Sequence, residues 1–95
     1  MFGHLFRPKR TFGSSDELFE AVTNLIGEMR ANGQTRVAEE LEDGFKCLNG
    51  LTDGWALFLE SIDAVLSSSL EGLTAPESAT LADVRAAVHR AVYGR

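Results

Sequence analysis

From Ser14 onward the apolar residues of this chain recur every three or four positions, in four blocks separated by breaks of two to five residues. That pattern constrains the fold more than anything else in the sequence. A period of 3.6 gathers the apolar residues into one stripe along a helix, and the stripe has to be buried against another element. No run alternates convincingly with period two, so no strand is expected. Helices joined by such short connections turn back on one another. The expected fold class is therefore all-α, an antiparallel up-down-up-down four-helix bundle with a short irregular N-terminal arm. The arm takes residues 1–13 and the bundle domain residues 14–95.

Local signals punctuate the blocks. Ser14-Ser15-Asp16-Glu17 fits a capping box, with Ser14 as N-cap, and predicts a helix over 15–31 that stops at Asn32-Gly33. A second helix is expected over 35–48, closed by Asn49-Gly50, and a third over 53–70 behind Thr52 as N-cap. Thr74-Ala75-Pro76-Glu77 repeats the capping box and opens a fourth helix over 75–92. The stripes predict a core of Leu18, Val22, Leu25, Ile26 and Met29 from the first helix, and Val37, Leu41, Phe45 and Leu48 from the second. The third adds Trp55, Phe58, Leu59, Ile62, Val65 and Leu66, and the fourth Leu81, Val84, Val88 and Val92.

Composition narrows the class of protein. With 95 residues there is room for one domain, and 44% hydrophobic with 24% charged residues is ordinary for a globular chain. Cys47 is the single cysteine, so no intrachain disulfide can form and a disulfide-stapled secreted domain is excluded. The longest apolar run, Trp55 to Leu59, is five residues, far short of a membrane helix. The basic N-terminal residues have no apolar stretch behind them, so a secretory signal is not expected. A soluble protein of a reducing cytoplasm follows.

The net charge of −5 is unevenly spread. Arg7, Lys9 and Arg10 make the arm basic, whereas residues 37–77 hold nine acids against the single base Lys46. An acidic middle disfavours nucleic acid and suits a basic protein, or the basic ends of a second copy.

Catalytic and cofactor signatures are missing. The serines do not sit in a G-x-S-x-G elbow, and the glycines form neither a phosphate loop nor a dinucleotide fingerprint. Ser69-Leu70 follows Ser68 rather than an aspartate, so the prosthetic-group attachment motif of acidic helical carriers fails at its essential position. Neither His4 nor His89 has a glutamate three residues before it, as a di-iron bundle requires. Cys47 and His89 fall at the rims of their stripes and no third group orients them as a nucleophile and base. No enzyme, cofactor or metal site is expected.

The surfaces say more. Phe2, Leu5, Phe6 and Phe12 are interleaved with the basic residues of the arm, a composition suited first to packing on the chain's own bundle or to disorder, then to contact with another protein, and less well to an anionic membrane surface or to nucleic acid. Glu39, Glu42 and Asp43 lie opposite the apolar stripe of the second helix. Leu57, Ser61, Ala64 and Ser68 form a second stripe of small or apolar residues on the third helix, where another helix could approach closely. The expectation is a non-enzymatic protein–protein interaction module, self-associating as a dimer, with Phe2, Phe6, Phe12, Glu39, Glu42, Asp43 and Leu57 as contact residues. The alternative is a bundle that holds a small ligand or lipid between Phe45, Trp55 and Phe58.

Overall fold

The computed structural model describes residues 11–48, 53–68 and 72–94. Four helices occupy most of them: α1 (Ser15–Ala31), α2 (Thr35–Lys46), α3 (Gly54–Ser67) and α4 (Ala75–Tyr93). No strand occurs among the described residues. Each helix packs on its chain neighbours and α4 closes on α1, which makes a four-helix bundle. Neighbours run antiparallel. Phe19, early in α1, meets Phe45, late in α2, and Asn32 at the end of α1 meets Glu77 at the start of α4.

The α1 boundaries agree with the sequence, and the reason lies in local hydrogen bonds. Glu17 N–H donates to Ser14 Oγ at 3.2 Å. At the other end Gly33 takes φ 79°, Gln34 N–H reaches back to Met29 O at 2.8 Å, and Gly33 N–H reaches Arg30 O at 3.1 Å. This is the Schellman closure, which needs a left-handed residue that glycine supplies at little cost.

α2 and α4 also start where expected, at Thr35 and Ala75, whereas the remaining ends differ by one to three residues. α2 stops at Lys46 rather than Leu48, because Cys47 and Leu48 N–H groups bond three residues back, to Gly44 O and Phe45 O, and tighten the last turn. α3 starts at Gly54, with Asp53 at the N-cap position, and stops at Ser67, because Ser68 is extended at ψ 136°. A side chain at Gly54 would collide with the Cys47 carbonyl oxygen and lie 3.1 Å from Leu48 Cα, so the start of α3 packs directly on the end of α2. Thr52, Asn49-Gly50 and Ser69-Leu70, expected to cap or end helices, lie outside the described residues.

Most of the predicted core is buried, with Val22, Met29, Leu41, Phe58, Ile62, Leu81, Val84 and Val88 sealed from solvent. Five positions correct the expectation. Phe45, Leu48, Trp55 and Val92 are half-buried and pack against the core from its rim. Leu66 is 37% exposed: it sits at the edge of its stripe on the last turn of α3, with Ile62 and Val65 taking the inward positions. Ala21 and Ala38 are buried instead, where helices approach closely enough to exclude larger side chains. No described helix is long and apolar enough to cross a membrane.

Candidate functional site

α2 and α3 approach each other closely at Gly44. A side chain at Gly44 would collide with Ser61 and press on Phe58 Cα at 3.3 Å, so the small Ser61 side chain of α3 packs directly on the α2 backbone. Small residues at both positions make the contact possible. Around it the helix surfaces diverge into a groove of about 360 Å³. α2 contributes Glu40, Asp43, Gly44 and Cys47, and α3 contributes Leu57, Glu60, Ser61 and Ala64. The spacings i, i+3, i+4, i+7 set each group on one face of its helix.

The groove has a composed chemistry. Half-buried Leu57 gives the groove an apolar floor beside the Gly44–Ser61 contact, exposed Ala64 extends its apolar lining, and three exposed carboxylates, Glu40, Asp43 and Glu60, stand on its two sides. Cys47 is half-buried, and its Sγ–H points back to Asp43 O at 3.4 Å. His89 lines a different hollow on α4, so thiol and imidazole are not brought together. Among the described residues no three His, Cys, Asp or Glu side chains converge as metal ligands do.

The sequence-predicted contact residues divide sharply. Asp43 and Leu57 meet in this groove. Glu39 is exposed on α2 but outside the groove lining. Glu42 turns to the other side of α2, where Arg30 of α1 donates to its carboxylate at 2.5 Å, so its charge is matched within the chain. Phe12 is half-buried and packs against the core. Phe2 and Phe6 lie outside the described residues. The small stripe of α3 also changes its meaning. The helix that approaches Ser61 closely is α2 of the same chain.

Glu40, Glu60, Gly44 and Cys47 were missed as groove residues. The signal existed: Glu40, Asp43, Gly44 and Cys47 form a stripe on α2 that mirrors Leu57, Ser61 and Ala64 on α3. Counting Gly44 only as part of the apolar stripe hid it.

The aromatic alternative is also visible. Phe19 stacks on Trp55 at 6.2 Å and meets Phe45 edge-on at 5.7 Å, while Phe45 touches Phe58 at 5.6 Å. Phe58 is sealed in the core, and Phe45, Trp55 and Phe58 do not line one cavity together. Beside them Phe19, Phe45 and Leu48 line a hollow of about 270 Å³ with Glu42 and Lys46 at its rim.

Two further acids belong to the fold. Asp63 holds Arg85 of α4 at 2.5 Å, which raises the guanidinium further above its ordinary value. Glu77 is buried at the start of α4 and accepts from Thr74 N–H (2.9 Å), Gln34 Nε2 (2.9 Å) and Asn32 Nδ2 (3.0 Å). Burial pushes its carboxyl up and is the largest single influence. The hydrogen bonds from the Thr74 backbone, Gln34, Asn32 and the Thr74 hydroxyl together outweigh it and hold the carboxyl below its ordinary range.

Comparison with family models, with curated proteins and with solved structures gives no match, so the chemistry of the groove stands by itself.

Proposed function

We propose that the chain is a small non-enzymatic protein–protein interaction module of a reducing cytoplasm, and that the α2–α3 groove holds a basic protein segment with an apolar tip. The observation that carries this reading is the pairing of an apolar floor at Leu57 with exposed carboxylates on both walls. An apolar anchor entering the floor excludes water, and cations beside it meet Asp43, Glu40 and Glu60 at the rim. The rim charges add on-rate and selectivity for a basic partner, and the floor supplies the contact area. The aromatic hollow between α1 and α2 supports a small-ligand reading less well. Its volume of about 270 Å³ falls below the roughly 300–1,000 Å³ of ordinary ligand sites.

Affinity purification of the tagged chain from its host, at low and at high salt, tests the proposal against the variants Leu57→Glu and Asp43→Lys/Glu60→Lys. One stoichiometric partner with a basic contact segment is expected on the wild-type protein, released by salt and lost from both variants. Leu57 is half-exposed and the acids are exposed, so helicity should survive each change. Retention of the same partner by both folded variants would overturn the assignment of the groove.

A further inference from the structure

Tyr93 and Leu66 are the large apolar side chains exposed among the described residues, and Tyr93 is the more open at 66%. It stands on the last turn of α4. The His89 ring leans on it at 4.8 Å, and Arg85 and Arg90 line the same shallow hollow of about 460 Å³. No acid occurs from Val84 to Gly94, whereas Val37 to Asp63 holds seven acids and one base. Arg85 is already engaged by Asp63, which leaves Arg90 as the exposed guanidinium beside the tyrosine among the described residues. An aromatic knob with a cation next to it is the chemistry that the α2–α3 groove accepts.

We infer that the groove's occupant is a second copy of this chain, whose α4 end places Tyr93 over Leu57 and Arg90 against the carboxylates of Asp43 and Glu60. The inference rests on the reading of the groove as a protein-binding surface and names the partner. Charge complementarity selects that occupant: the acidic and basic surfaces are separate, on different helices, and of opposite sign. A pair in which each α4 end enters the other copy's groove makes the same contact twice and closes, so assembly stops at two. Tyrosine suits the anchoring role because it brings large contact area with little rotamer freedom to lose.

Sedimentation equilibrium of the full chain over a range of concentrations tests this directly. The expected result is a dimer of about twice 10.3 kDa at low salt. It should dissociate at about 1 M salt, where the screening length falls to about 3 Å. Tyr93→Ala and Arg90→Glu should each weaken self-association about tenfold or more, with unchanged helicity, because both side chains are exposed. Asp43→Lys/Glu60→Lys should do the same. The decisive arm mixes Arg90→Glu with Asp43→Lys/Glu60→Lys. One copy then has two acidic surfaces and the other two basic ones, and the mixture should recover the dimer mass that neither variant reaches alone. A wild-type chain that stays at 10.3 kDa up to its highest soluble concentration overturns the inference, as does a dimer indifferent to Arg90→Glu, or a mixture that stays monomeric. These failures are separable from failure of the groove itself. A monomeric wild type whose foreign partner is still lost on Leu57→Glu keeps the groove and removes only the second copy.

Discussion

Two helices of this protein begin with the same four-residue pattern, and the tertiary structure uses the two copies differently. At the start of α1, Ser14 caps Glu17 N–H, and the Glu17 carboxylate accepts from Gly13 N–H at 2.8 Å rather than from Ser14. Both residues are exposed, and every bond stays within four positions. At the start of α4 the box closes fully between Thr74 and Glu77, and Glu77 is 2% exposed. Its carboxylate then also receives Asn32 and Gln34 from the α1–α2 turn, more than forty positions away in sequence. Gln34 Nε2 donates in addition to Gly72 O at 2.6 Å, while Gln34 Oε1 is the one buried side-chain oxygen without a hydrogen-bond partner among the described residues. One motif thus ends a helix locally, and the other ties opposite halves of the chain together. The difference teaches that a capping signature predicts a helix start and is silent about the strength of what it anchors.

Substitutions at the two boxes should separate these roles. The largest effect is expected from Glu77→Ala. It removes the cap and leaves the donors of Asn32 and Gln34 without their acceptor, at a cost on the order of 3 kcal/mol. At about 5 °C per kcal/mol for a domain of this size, thermal unfolding should shift down by roughly 15 °C. A shift no larger than that of the α1 cap variants would erase the distinction.

A smaller effect, and one of a different kind, is expected from pH. Because the folded carboxyl of Glu77 titrates below its unfolded value of 4.5, its ionised form contributes stability that is present above that value. The contribution is lost as pH falls from about 4.5 through the folded value. Glu77→Gln keeps the size and part of the bonding, so it should lower stability at neutral pH and flatten the acid limb of the profile. Parallel profiles for wild type and variant in denaturant titrations would contradict the sign of the shift.

The smallest effects belong to α1. Ser14→Ala should cost about 1 kcal/mol and Glu17→Ala about 0.5 kcal/mol, with little change in cooperativity, because only exposed local bonds are lost. Amide exchange should show the first turn of α1 opening more readily while the core amides keep their protection.

The same contrast runs through the acidic residues as a group. Residues 37–77 hold nine acids, of which the sequence pattern sets Glu39, Glu42 and Asp43 on the outer face of α2 and Glu77 in a capping box. The fold sorts them. Glu42 is matched by Arg30, Asp63 by Arg85, and Glu77 by amide donors, while Glu40, Asp43 and Glu60 stand around the groove. Charge patterning is readable along one helix, but a partner on another helix is not, since nothing in a local window reports what lies across the interface. That is why the sequence pattern does not show that Glu40 and Glu60 share a groove with Asp43 and Leu57, or that Glu42 pairs with Arg30.

By itself the sequence determined the four helices, the boundaries of α1, the glycine closure at Gly33 and most of the sealed core. Each of these depends on residues within one or two turns of each other, through period, caps and backbone freedom. Only the tertiary structure decided that α2 is the helix that meets Ser61, that Gly44 and Gly54 have no room for a side chain, that Leu66 faces outward and that Glu77 is buried. Those outcomes depend on which stripes face each other and how closely. That is set by the simultaneous packing of side chains from all four helices, which no single stretch of sequence contains.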